Sequence, residues 1–134
     1  MRIAVREGRE DPGGFAAGFD RVPVLLVVLA DLRLLAATDR DLGRYTIVGG
    51  ASVYPFVWSI LLAARAEGLG GVLTTMTTLR EPQVKLLLGV PDEFAVAAVL
   101  ALGHPVDAPT RLRRGPVEEF ATVDTFDGPP ISPA

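Results

Sequence analysis

Cysteine is absent from this chain of 134 residues, and histidine occurs once. The first absence excludes a disulfide framework and a thiolate metal site, and the second excludes a His-rich metal cluster. There is no excess of positive charge. The formal net charge is -3 and the pI is near 5.1, whereas a nucleic-acid partner favours a basic face. No uninterrupted apolar run approaches the ~18 residues of a membrane span; Val22 to Ala30 is stopped by Asp31 and Arg33. The N-terminus from Met1 to Asp11 is charged in both signs and has no apolar signal core, so a cytoplasmic setting is the default expectation. No GxSxG elbow, HExxH, Walker A or GxGxxG motif occurs, and no internal repeat.

What is there is apolar. Hydrophobic residues make up 49% of the chain and mean hydropathy is +0.36. In a single domain of this size the surplus implies a large buried interface, with a second copy or with another segment.

Pattern places the elements. Glu10-Asp11-Pro12-Gly13-Gly14 reads as a loop. Val22 to Ala30 is a β-branched run without polar alternation, which predicts a central strand covered on both faces. Residues 31–49 are mixed and charged, and Asp39-Arg40-Asp41 reads as solvated surface. Val53, Phe56, Val57, Ile60, Leu61 and Ala64 form one helical stripe over 52–67. Ser52 stands where a cap would, Pro55 is tolerated in the first turn, and Gly68 and Gly70 stop the helix. Tyr54, Trp58 and Leu62 make the opposite face apolar too, so the helix is expected to be covered by something outside this small chain, most economically a partner subunit. A short strand follows at Gly71-Val72-Leu73-Thr74-Thr75, a helix from Glu81-Pro82 to Leu88, and a buried strand from Phe94 to Leu102. The remainder, with five prolines after residue 108, reads as an extended tail.

Few residues invite chemistry. Gly68-Leu69-Gly70-Gly71 follows a helix and precedes a strand, the reverse of a dinucleotide fingerprint, and reads as a helix cap and turn. Thr74, Thr75, Thr77 and Thr78 suit a strand end by propensity alone. They also suit a backbone edge that meets a flat ligand. Arg111, Arg113 and Arg114 are either a solvated patch or an anion site, for which the guanidinium fork is well matched. His104 has no carboxylate or hydroxyl spaced to make it a base and reads as a turn residue. Tyr54 and Trp58 serve packing or stacking.

A set of segments in fixed order resembles the nitroreductase family. It comprises Gly49-Gly50-Ala51-Ser52-Val53-Tyr54-Pro55, Leu61-Leu62-Ala63-Ala64-Arg65-Ala66-Glu67-Gly68-Leu69-Gly70 and Val72-Leu73-Thr74-Thr75. Leu87-Leu88-Gly89-Val90-Pro91, Ala101-Leu102-Gly103-His104-Pro105 and Arg113-Arg114-Gly115-Pro116-Val117-Glu118-Glu119 complete it. Each piece is weak alone; the ordered set is specific and spans roughly residues 15 to 127.

The resemblance implies an α+β fold with a mostly antiparallel sheet flanked by helices. It also implies a homodimer built on a central interface helix, with FMN at that interface. The implied activity passes hydride from NADH or NADPH through FMN to a nitroaromatic, quinone or related acceptor. The flavin carries the chemistry, which suits a chain with no catalytic side chain. By the same resemblance Leu73, Thr74, Thr75 and Met76 form the segment whose backbone lies against the isoalloxazine. Arg114, with Arg113 as helper, reaches the phosphate, while Ser52 and Tyr54 lie near flavin and substrate.

Three departures stand out. Trp58-Ser59 occupies a place where members often carry Gln-Asn, and His104 stands where a Tyr usually precedes the proline. Third, the family opens with an Arg-rich flavin-binding segment and about two helices before its first strand, and residues 1–14 do not resemble it. The expected division is therefore an irregular 1–14, a partial domain over 15–127 and a tail at 128–134. The product is then truncated, a fragment, or completed by a separate chain. The alternatives to an active enzyme are an inactive family remnant and a flavin-binding or interaction module that needs a partner chain. No metal, nucleic-acid or membrane partner is expected.

Overall fold

The computed structural model describes residues 16–107 and 114–131. Among these residues three strands form one antiparallel sheet: β1 (Val24–Asp31), β2 (Gly70–Thr74) and β3 (Phe94–Gly103). Helix α1 (Val53–Ala66) lies between β1 and β2, and α2 (Glu81–Leu88) between β2 and β3. The α+β class and antiparallel sheet are as the family resemblance implied.

The strand order β1-β3-β2 puts β3 in the middle. β1 pairs with it from Val24 opposite Leu102 to Asp31 opposite Phe94, and β2 from Gly70 opposite Gly103 to Thr74 opposite Val99. The expectation that the 22–30 run is a central strand is therefore corrected. It is an outer strand among the described residues, and Val24, Leu25, Leu26 and Leu29 remain exposed. An unbroken apolar run records that a strand is apolar on both faces. It does not record which neighbours supply its partners.

The core forms where α1 crosses the sheet. Val28, Val57, Ala98 and Leu100 are buried together, with Val53, Ile60, Leu61, Leu73, Ala97 and Leu102 packed around them. Ala98 and Leu100 are two apart and share one face of β3. Val28 lies opposite Ala98, and Leu73 opposite Leu100, so all three strands contribute to that face. Gly71 permits the close approach: a Cβ there would lie 2.6 Å from Leu102 Cδ2 and 2.7 Å from Leu61 Cδ2. The register of β1 on β3 shifts after Val28, since Val28 pairs with Ala98 and Leu29 with Val96. Ala97 is thus the extra residue of a bulge, a device that bends a strand and redirects its side chains.

α1 follows the 3.6 period, but only one stripe packs. Val57 and Ala64 are buried, whereas Phe56, placed in the stripe from sequence, is 58% exposed. Trp58 is 62% exposed, and Tyr54 and Leu62 are exposed as well. A sheet three strands wide has no second surface with which to cover the far side of this helix. By length and composition Val48–Ala66 is a 19-residue segment apolar enough to cross a bilayer. Only its 53–66 portion is α-helix, however, about 21 Å at the usual rise against ~30 Å of hydrocarbon.

The helix ends are set by two mechanisms. Gly68 (φ +77°) and Gly89 (φ +65°) terminate α1 and α2 in the left-handed region, where a side chain is strained. The start of α1 departs from expectation, because Ser52 makes no side-chain cap bond. A capping serine needs extended backbone. Here the chain enters through a 3-10 turn at Val48–Gly50, and Ser52 is already near helical angles (φ -88°, ψ -28°).

Within the C-terminal segment, residues 121–131 fold back on themselves rather than run extended. Val123 N–H donates to the Pro129 carbonyl (2.9 Å) and Ile131 N–H to the Ala121 carbonyl (3.0 Å), closing a turn through Asp124. Gly128 is required there, since a Cβ would collide with the Val123 carbonyl.

Candidate functional site

β2 stops at Thr74, its last residue paired to β3. Thr74 is buried, and its Oγ1 accepts the Met76 N–H at 3.2 Å. That bond turns the chain out of the ladder and into a 3-10 helix at Met76–Arg80. Thr78 closes the turn through its N–H (3.0 Å) and its Oγ1 (2.7 Å), which both donate to the Thr75 carbonyl. Thr75 is left exposed between them, one residue past the last ladder pair. Leu73 and Met76 are half-buried on either side. The four threonines read from sequence as strand-end residues thus fall on both sides of the strand terminus. Three of them, Thr74, Thr75 and Thr78, build its turn.

Two side chains near this turn reach the backbone of the central strand. Glu81 opens α2, and its Oε1 accepts the Val96 N–H at 2.6 Å. Tyr54 Oη donates to the Ala97 carbonyl at 3.5 Å. Val96 and Ala97 are the residues of the β3 bulge, and Ala97 is two residues from Val99, the partner of Thr74. At the usual strand rise that separation is roughly 7 Å. The structure therefore brings Tyr54, the first turn of α1 and the Thr74–Met76 turn to one end of the sheet. Ser52 is exposed one residue before α1.

Asp39 is a correction. Expected on the solvated surface, it is 4% exposed. Its carboxylate accepts the Ile47 N–H (2.8 Å), the Val48 N–H (3.3 Å to each oxygen) and Arg44 Nη1 (2.8 Å). The Ile47 amide, more than the Arg44 guanidinium, holds the carboxyl below the usual aspartate range, against the opposing effect of burial. A charge run in the sequence carries no sign of these donors, because the amides of residues 47 and 48 come within reach only after the loop has closed.

Thr77 was not singled out as special among its neighbours. Its Oγ1 is buried without a hydrogen-bond partner among the described residues, an uncommon state for a hydroxyl. Glu81 was read only as a helix start; its reach to β3 has no local signature.

Arg114 is exposed and forms no ion pair with another described residue. Arg111 and Arg113 lie outside the described residues. His104 is exposed just past the end of β3. It lines a cavity of about 640 Å³ with Arg21, Leu61, Arg65, Gly70 and Leu102. That cavity opens where Gly70 pairs with Gly103, at the end of the β2–β3 ladder opposite Thr74. Among the described residues no group of three His, Cys, Asp or Glu is placed to hold a metal ion.

A strand end with an exposed residue just beyond it, a helix start nearby and, among the described residues, no assembled acid, base or nucleophile define an α+β scaffold suited to seating a flat ligand. The sequence profile of the nitroreductase family matches residues 4–104, and the chain belongs to that family. It is 30% identical over 116 residues to the NADPH-flavin oxidoreductase of Vibrio harveyi, covering 81% of this chain and 48% of that protein. Among solved structures it is similar to the Vibrio harveyi NADPH:FMN oxidoreductase complexed with NAD+, with a TM-score of 0.66 and 27% identity. That match covers 85% of this chain and 51% of the other. Nitroreductase A from Vibrio parahaemolyticus superposes equally well, with a TM-score of 0.66, 26% identity, and 85% and 50% coverage. The chain thus spans about half the length of the relatives it matches.

Proposed function

We propose that this chain forms part of an FMN-dependent oxidoreductase that passes hydride from NADH or NADPH through FMN to a nitroaromatic, quinone or related acceptor. The observation that carries the reading is the exposed Thr75, one residue beyond the last β2–β3 pair, with Tyr54 of α1 bonded to Ala97 at the same end of the sheet. Backbone amides and hydroxyls at a strand end suit the ring edge of a heteroaromatic cofactor, and a guanidinium suits its phosphate, so the residues present fit FMN. When bound, FMN supplies two-electron transfer between the nicotinamide donor and the acceptor. We assign Leu73, Thr74, Thr75 and Met76 to the isoalloxazine edge. The Thr74 Oγ1 bond to Met76 keeps that turn rigid, so the Thr75 amide is presented without reorganisation. Arg114, with Arg113 beside it, is assigned to the phosphate, and Ser52 and Tyr54 to the acceptor side.

The relatives' flavin and NADPH chemistry supports this reading. The exposed apolar face of α1 supports a homodimer packed through that helix, with a site completed there. An NAD(P)H-containing compartment such as the cytoplasm is the setting it requires. The same exposed face of Phe56, Trp58 and Leu62 favours a second reading, an interaction module that binds flavin only with a partner chain. Adding FMN, desalting and recording the visible spectrum separates the two. Retained flavin bands that NADPH bleaches support the enzyme. A colourless chain that acquires flavin only with a partner supports the module.

A further inference from the structure

We propose that Asp39 is a positioning residue, whose buried carboxylate fixes the loop that delivers Ser52 and Tyr54 to the flavin-facing end of the sheet. The role given to Ser52 and Tyr54 rests on the flavin-site reading above, while the anchoring rests on geometry alone. Residues 32–52 join β1 to α1 without a strand or an α-helix. Loops of this length are commonly pinned by apolar side chains turned into the core. Here Leu32, Leu34, Leu42, Tyr45 and Ile47 are all exposed, and the one buried residue in the segment is Asp39.

A buried carboxylate is costly unless its oxygens are filled, and these are filled from within the loop. Ile47 N–H, Val48 N–H and Arg44 Nη1 converge on it, and Arg44 Nη1 also donates to the Tyr45 carbonyl at 2.8 Å. The carboxylate thus closes a ring from residue 39 to residue 48. Val48 begins the 3-10 turn whose carbonyl accepts the Ala51 N–H at 2.9 Å, and α1 starts at Val53. No unconstrained stretch separates the Asp39 anchor from Ser52. Among the described residues Tyr54 has one hydrogen bond to the sheet, at 3.5 Å to the Ala97 carbonyl, and Val53 beside it packs against the core. The path by which the chain enters α1 sets the rest of the placement of Tyr54. The core cluster of Val28, Val57, Ala98 and Leu100 does not include the loop, so loosening the loop leaves that core in place. Displacements of about 1 Å at reacting geometry cost up to about a hundredfold in rate.

The test uses the full chain with Asp39→Asn, an isostere without the charge, and Arg44→Gln, which removes one donor. Amide exchange is followed at Ile47, Val48, Ala98 and Leu100. FMN binding and steady-state turnover are measured with NADPH and 1,4-benzoquinone. In Asp39→Asn, exchange at Ile47 and Val48 accelerates at least tenfold while Ala98 and Leu100 keep their protection. The quinone KM rises about tenfold, with kcat and the FMN Kd within threefold of the parent. Arg44→Gln moves the same quantities in the same direction by less. Unchanged exchange at 47 and 48 overturns the anchoring. Accelerated exchange with an unchanged KM overturns the positioning role, and so does a uniform loss of every activity in proportion to unfolded protein. If the parent shows no flavin turnover, the flavin reading fails separately. The 3-fluorotyrosine resonance of Tyr54, assigned with Tyr45→Phe, then decides positioning: a shift in Asp39→Asn sustains it, and an unmoved resonance overturns it.

Discussion

Val96 donates its backbone N–H to Glu81 Oε1 at 2.6 Å, so the first residue of α2 is bonded into the bulge of the central strand. Val96 is buried, and it lies beyond Val99, where β2 stops pairing with the central strand, so β2 offers its amide no acceptor. Without Glu81 that amide would face the interior unpaired. Glu81→Ala is expected to destabilise the protein by about 1–3 kcal/mol, the cost of an unsatisfied buried donor. Glu81→Gln keeps an acceptor and is expected to lose less. Urea titration of the three proteins checks this, and equal stability of all three would remove Glu81 from the account.

The Asp39 clamp makes a prediction about pH. Its carboxyl is held below the ordinary aspartate range, first by the Ile47 amide. A depressed folded pKa means that the contribution is fully present above the unfolded value, about 3.9, and is lost as pH falls through the folded value. Arg44 pairs with the Asp39 carboxylate at 2.8 Å, and the neighbouring Arg40 and Asp41 pair with each other on the surface at 3.7 Å. Protection of the Ile47 and Val48 amides is therefore expected to persist down to about pH 4 and to disappear only below it. Its disappearance near neutral pH would contradict the clamp.

Thr77 offers the opposite kind of test. Its buried hydroxyl has no partner among the described residues, so replacing it by a methyl group removes a polar atom without breaking a bond. Thr77→Val is expected to leave stability unchanged or raise it by up to about 1–3 kcal/mol. A thermal melt that falls instead would reveal a partner for that hydroxyl.

Arg114 carries the phosphate assignment. Arg114 is exposed and outside the core, so Arg114→Ala is expected to leave the melting temperature in place. FMN binding should weaken by about tenfold or more, as expected for the loss of a charge-assisted hydrogen bond. Fluorescence titration with FMN and with riboflavin, which lacks the phosphate, isolates the cause. The substitution should weaken FMN binding and spare riboflavin.

The parts legible in the sequence were those encoded locally. The α1 period, the glycines that end both helices and the strand from Phe94 were read from neighbours within a few residues. The edge position of β1 was not, because strand order is decided by pairings with a segment some seventy residues away, on the order of half the chain. Asp39 was misread because its partners at 44, 47 and 48 approach it only in the closed loop. Phe56 fits the helical period yet lies outside the packed stripe, since a three-stranded sheet covers a narrower arc of α1 than its apolar residues occupy. Of the site, Leu73 to Met76 came from the family resemblance and remains a proposal. The Thr74–Met76 turn and the Glu81 bond to Val96 exist only in the folded chain.

The most direct test is the visible spectrum of the purified chain after incubation with FMN and desalting, followed by anaerobic addition of NADPH. Flavin bands that stay with the protein and bleach with NADPH are the predicted result. A chain that emerges colourless both alone and with a candidate partner would contradict the assignment of the Leu73–Met76 turn to flavin.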